Sequence, residues 1–597
     1  MPATPDITYI DTRGVQTEGI PFTRAVINGL APGGGLYVPT HLPELNPNQI
    51  VAMCNMTYAE RAAAIYKFFG VDLPVSTVDN LMKEAYGKQW DTEEIAPITS
   101  RDANTHVLEL WHGPTCAFKD LALQALPRFF GASADRLRRK GIIKTKFMIL
   151  VATSGDTGKA ALEGFCDVPG VQIGVMYPKG GVSDIQYKQM ATQKGGNVQV
   201  WAVEGNFDDC QTAAKKVFSD AEFAERLRKE YKISLSSANS INWGRLLPQI
   251  VYYVSAYGQM VQTGKVELGA PIDVCVPTGN FGNILAAWYA KAMGVPIERL
   301  LCASNENRVL TDFINTGTYD ISDREFKLTP SPSMDILVSS NLERQLFELS
   351  GRNAEAVKGW MADLAATGKF RVDEETFAKV REVFAGDSVS NAECLATIKE
   401  IHDKYGYLVD PHTAVACKVA ERLRGSNPVL IASTAHWAKF GENVWRALHQ
   451  LDPGEPLPED VAKLTGCELN RLIAEEANSW FTPEQMAVFA EHEAILKAEA
   501  EAKEAAAAAE AARAAQEKRG ETYGGGRGEG KKDNKRFMFS ALGVRDIHLM
   551  DTTVKPAYVP QPLAELDELP IRFTQVITPE PETVEGEVCA FLTALKG

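Results

Sequence analysis

The feature that most limits the fold is a unit that recurs between residues 105 and 447. A short apolar run rich in β-branched residues enters a loop of small polar residues, and an alanine-rich helical pattern follows. "KFMILVA" leads to "TSGDTG" and "KAALEGF". "IDVCVP" leads to "TGNFGN" and "ILAAWYAKAM", and "PVLIA" leads to "STAHWAKF" and "GENVWRAL". Continuous apolar strands alternating with helices predict an α/β fold whose parallel sheets are covered by helices on both faces. Ligands of such sheets lie outside the carboxyl ends of the strands, so the three loops are expected around one crevice.

The rest of the chain is organised about that body, taken as 101–452. Residues 1–100, with "ITYIDTRG" and "NGLAPGGGLYVP", read as a smaller N-terminal α+β domain. The stretch 311–403 reads as a helical subdomain over the crevice. At 453–554 an insertion is expected, made of an Ala/Glu-rich helix and a Gly/Lys-rich linker of spacer character. A closing segment, 555–597, regains a folded composition.

The net charge of −15 opposes broad binding to nucleic acid or anionic membrane, so an anionic ligand has to be held locally. No apolar run reaches the ~20 residues that span a bilayer. The polar start "MPATPDITYIDTRG" reads as neither signal nor transit peptide, and a cytoplasmic location is expected. Ten cysteines are scattered without a C-x-x-C pair, the pattern of reduced thiols. Nine histidines show no metal-ligand spacing, so no metal is expected.

In "HGPTCAFKD" Lys119 stands where a helix begins, against the positive end of its dipole. Such a lysine either points into solvent at little cost or, beside Ala117, Phe118 and Leu121, loses its proton more easily and becomes a nucleophile. "TSGDTGKA" offers the hydroxyls of Ser154 and Thr157 and the amides of a helix start, which also suit a plain N-cap. "PTGNFGNI" repeats the device, with two glycines that permit positive φ. It is neither G-x-G-x-x-G nor a P-loop, so a dinucleotide or nucleotide triphosphate site is not supported. In "SSANSINWGRLLPQ", Arg245 can fork onto phosphate or carboxylate while Asn239 and Ser240 donate. Asp410 reads as a helix cap, and His412 and His436 as structural histidines. No G-x-S-x-G elbow is present. A reactive lysine beside glycine-rich anion loops points to pyridoxal phosphate, an aldehyde cofactor with its own phosphate.

"HGPTCAFKD", "TSGDTGKAA", "SSANSINWGR", "PTGNFGN", "DPHTAV" and "STAHWAKF" together resemble, in order, the motifs of the threonine synthase family. "YIDTRG" and "GLAPGGGLYVP" resemble the leading domain of its longer branch. The likeness runs from about residue 8 to 448 and implies the fold-type II pyridoxal-phosphate architecture, similar to the tryptophan synthase β chain. It implies that Lys119 binds the cofactor covalently, that Gly279, Asn280, Phe281, Gly282 and Asn283 cradle its phosphate, and that Thr434 meets the pyridine nitrogen. Ser154, Asp156 and Thr157 would face the substrate carboxylate and the cofactor ring, and Asn239 and Arg245 the substrate phosphate. Cys116 and Trp437 depart from the family pattern, which has an aliphatic residue and a proline there.

The activity implied is the conversion of O-phospho-L-homoserine and water to L-threonine and phosphate, the last step of threonine biosynthesis, in a monomer or homodimer. One alternative is a phospho-lyase of the same family that yields 2-oxobutyrate. The other is an inactive relative serving as a scaffold.

Overall fold

The computed structural model describes residues 7–491, 494, 498 and 555–596. The Gly/Lys-rich linker, and all but two alanines of the Ala/Glu-rich stretch from 492 onward, lie outside the described residues.

Two sheets form the body. The larger has six strands, in the order Phe384–Ser388, Ile297–Ser304, Ile272–Pro277, Val429–Ser433, Thr105–Glu109 and Ile98–Asp102. All neighbours are parallel except the last pair. The smaller has five parallel strands: Val576–Ile577, Val198–Val203, Val171–Pro178, Lys146–Ala152 and Ile233–Ser236. Strand Ile272–Pro277 is buried at every residue, as an apolar run sandwiched between helix layers should be.

The N-terminal α+β region pairs Tyr9–Asp11 antiparallel with Tyr37–Pro39. Its core is continuous with that of the body. Tyr9 packs on Trp243 with ring centroids 5.6 Å apart, and buried Arg344 donates to the Tyr37 carbonyl at 2.9 Å. Between 311 and 403 helices dominate, but Phe384–Ser388 is an edge strand of the large sheet. "FAGDS" holds no β-branched residue, which is why its pattern carries no strand signal.

From 453 onward, Glu459–Ala462 and Gly466–Asn478 are helices packed on the body through Val461, Cys467, Leu469 and Ile473. Asn478 and Ala557 exchange hydrogen bonds of 2.9 and 2.7 Å, which ties the closing segment to helix Gly466–Asn478. The returning segment adds strand Val576–Ile577 to the smaller sheet, and helix Pro581–Ala594 packs on helix Phe207–Ser219. Among the described residues no helix is long and apolar enough to cross a membrane.

Candidate active site

Lys119 opens the five-residue helix Lys119–Leu123 and is 7% exposed. The loop before it is closed by Asp120, whose carboxylate accepts from Thr115 N and Oγ1 at 2.8 and 2.6 Å. Phe118 N donates to the Thr434 carbonyl at 2.8 Å, and Ala117 bridges Ala435. Thr434 is thereby fixed beside the lysine. Cys116, one of the two departures, takes φ +58°, a strained conformation of the kind that gathers at functional sites.

Lys119 Nζ lies 3.3 Å from Asp156 Oδ2 and 3.1 Å from Ser333 Oγ. Asp156 Oδ1 takes Lys439 Nζ at 3.1 Å and Gln186 Nε2 at 2.9 Å. Burial pushes the Lys119 ammonium below the usual lysine range. The charges of Arg245 and Lys439 add to this, and Asp156 opposes it. The causes of this lowering are burial and neighbouring cations. Asp156 is held far below the usual carboxylate range: burial opposes its charge, but Lys439 and Lys119 outweigh it.

Arg245 links two of the loops, donating to the Ala238 carbonyl at 2.7 Å and to Thr157 Oγ1 at 3.4 Å. Burial lowers its guanidinium to about 10. Asn239 is exposed at the outer end of the same loop, and Ser154 is half-buried. Thr153 does the capping that the sequence left open among its neighbours, accepting from Gly155 N and Gly158 N at 3.0 and 2.8 Å.

The expectation that Gly279 and Gly282 supply positive φ is overturned. Phe281 takes φ +63° instead, at the start of helix Gly282–Ala292. The glycine at 279 answers to space: a Cβ there would stand 2.8 Å from the Ser333 carbonyl and 2.9 Å from Ile336 Cδ1. Ser333 therefore joins this turn to Lys119. Asn283 Oδ1 accepts from Tyr252 and Tyr253 hydroxyls at 2.8 and 2.5 Å, while its Nδ2 is buried without a partner. Asn280 is tied through its carbonyl to Asn341 N and Nδ2, both at 3.1 Å. A turn with no room for a side chain, an unpaired amide donor, the amides of a helix start and a buried lysine fit a phosphorylated aldehyde cofactor.

Two residues of the site, Lys439 and Ser333, went unread in the sequence. Lys439, fully buried, also donates to the Thr115 carbonyl at 2.7 Å and Gln189 Oε1 at 3.1 Å. Ser333 lies in a proline-rich loop. His412 keeps its expected structural role beside Asp410, whose carboxylate caps helix Pro411–Leu423. It also accepts from Ser333 N on Nε2 at 3.1 Å, so Nδ1 donates to Asp410 at 2.5 Å and the tautomer is fixed. His436 is structural, with burial pulling it down to about 3.

A family model described as pyridoxal-phosphate dependent enzyme matches residues 102–434. Two more, threonine synthase N terminus and threonine synthase C-terminal, match residues 8–86 and 413–479. The threonine synthase of Pseudomonas aeruginosa is 39% identical over 76% of this chain and 93% of that protein. The human protein named Threonine synthase-like 1 is 43% identical over 74% of this chain; the match spans 61% of the human protein's length. A crystal structure of threonine synthase from Brucella melitensis, titled as bound to PLP, superposes with a TM-score of 0.69 at 39% identity, covering 77% of this chain and 94% of that one. The chain belongs to the threonine synthase family of pyridoxal-phosphate dependent enzymes.

Proposed function

We propose that this chain is a threonine synthase, converting O-phospho-L-homoserine and water to L-threonine and phosphate. The observation that carries the reading is the buried Lys119 set between Asp156 and Ser333, its ammonium pushed below the usual lysine range by burial, with Arg245 close enough to act on its charge. Pyridoxal phosphate, when bound, supplies an electron sink and a covalent hold on the substrate amine. Lys119 would carry it, Gly279 to Asn283 would hold its phosphate, and Thr434 would face its ring nitrogen as a neutral partner.

Lys119 then moves protons at Cα, Cβ and Cγ of the substrate. Asp156 accepts hydrogen bonds only, so it holds the amines of Lys119 and Lys439 in place, and the hydroxyls of Ser154 and Thr157 serve the substrate carboxylate. Arg245, helped by Asn239 at the mouth, meets the departing phosphate as its negative charge grows. Water completes the reaction at Cβ.

The test is product analysis of purified, cofactor-loaded protein given O-phospho-L-homoserine. Threonine and phosphate in equal amounts are expected. Phosphate with 2-oxobutyrate would assign the phospho-lyase reading, and failure to retain the cofactor would assign the scaffold. The same proposal places the chain in the cytoplasm, as a monomer or homodimer that acts on a small molecule without nucleic-acid or membrane partners. Its ten free thiols and its charge of −15 support that placement.

A further inference from the structure

A recess opens at the end of the six-stranded sheet away from Lys119. It encloses about 170 Å³ and is lined from the amino-terminal halves of strands Thr105–Glu109 and Val429–Ser433 and from helices Asn391–Tyr405 and Pro411–Leu423. Lys119 and its loops occupy the carboxyl ends, so the recess is a separate place. Val107, Ile401 and Ile431 give it an apolar wall.

Arg101 is the unusual member of the lining. Strand Ile98–Asp102 pairs Ser100 with His106 but Asp102 with Thr105, so Arg101 is the extra residue of a bulge, a device that re-aims a side chain. It is 8% exposed, and its guanidinium carbon lies 3.5 Å from the centre of the Tyr407 ring. Nη2 donates to Thr99 Oγ1 at 2.5 Å, but Nε and Nη1 are buried with no hydrogen-bond partner. A buried cation left in that state is costly unless something accepts from it.

The acids at the rim do not supply the acceptor. Glu400 and Glu421 are both engaged by Lys418, at 3.0 and 2.8 Å. The lining balances Arg101, Lys404 and Arg424 against Asp102, Glu400 and Glu421, and buried Glu109 lies within charge range of Arg101. What the recess lacks is therefore an acceptor for the Arg101 Nε and Nη1 rather than a counter-charge. A guanidinium fork matches a carboxylate, and the aliphatic wall suits a carbon body that inorganic phosphate lacks. We propose that the recess binds a small aliphatic carboxylate, its oxygens on Arg101 and its carbon chain against Val107, Ile401 and Ile431. The site is linked to the lysine loop through Glu109, which lies outside the lining. Tyr407 donates to Glu109 at 2.8 Å, and Glu109 pairs with His112 at 2.9 Å, the first residue of "HGPTCAFKD".

Butyrate is the probe, read by saturation-transfer NMR on cofactor-loaded protein, with inorganic phosphate as competitor. A saturable butyrate signal is expected that equimolar phosphate does not displace. Arg101→Gln, and Ala420→Leu in the lining, should each weaken it tenfold or more. Should either variant fail to fold, the exposed-rim double variant Lys404→Ala/Arg424→Ala should weaken it about threefold. Absence of a signal in the unmodified protein, displacement by phosphate, or unchanged affinity in the folded variants would each overturn the assignment.

Discussion

In the loop at 153–157 the helix amides are capped from within, because Thr153 Oγ1 takes Gly155 N and Gly158 N. Its one charge, Asp156, is met by two lysines. In the loop at 277–283 the corresponding work is left undone. Phe281 is held at φ +63°, Gly279 has no space for a methyl group, and the Asn283 amide nitrogen is buried without a partner. Both loops arise from the same pattern of strand, small-residue turn and helix. The first carries its own charge and orders amines; the second leaves a buried donor unpaired, which the proposed function fills with the cofactor's phosphate. Ser333 joins them, touching Lys119 on one side and pressing on Gly279 on the other.

Substitutions separate the two roles. Lys119 touches the first loop directly and reaches the second through Ser333, so Lys119→Ala should show the largest effect, a fall in kcat on the order of 10³-fold or more with no covalent cofactor in the spectrum. Asp156→Asn leaves Lys439 and Lys119 without their anion, and removal of one partner from a buried pair costs about 3–5 kcal/mol. Calorimetry should show that loss near neutral pH. Because the Asp156 pKa is depressed in the fold, its contribution is present above the unfolded carboxylate value of about 3.9 and is lost as pH falls below it. The acid limb of the stability curve should therefore flatten in Asp156→Asn.

Gly279→Ala acts first on the second loop, where its Cβ would meet the Ser333 carbonyl and Ile336. Cofactor dissociation, followed by dialysis and absorbance, should rise about tenfold, equivalent to about 1.4 kcal/mol, with a smaller change in melting temperature. Thr153→Ala removes an internal cap and should cost about 1 kcal/mol of stability while cofactor affinity stays within twofold. Equal cofactor loss in Thr153→Ala and Gly279→Ala would erase the distinction between the loops.

The body of the fold was legible because its strands are unbroken apolar runs. Lys119 was legible through Ala117, Phe118 and Leu121, which foretold its burial. Lys439 was not. In "STAHWAKF" it reads as an ordinary helical lysine, and Gln189, one of its partners, lies 250 positions away in sequence. Ser333 sits in a loop whose prolines announce a turn and nothing about what it faces. The positive φ was assigned to glycines because they pay least for it, whereas the fold places it on Phe281 and keeps Gly279 for close contact. Pairings across the fold, unlike periodicity, leave no local trace.

Two buried lysines flank Asp156: Lys439 is fully enclosed and bonded to Thr115, Gln189 and Asp156, and Lys119 is the one proposed to react. Borohydride reduction of the cofactor-loaded protein, followed by peptide mass spectrometry, distinguishes them. The label should fall on the peptide that carries Lys119. A label on Lys439, or a protein that binds the cofactor without any reducible link, would contradict the assignment.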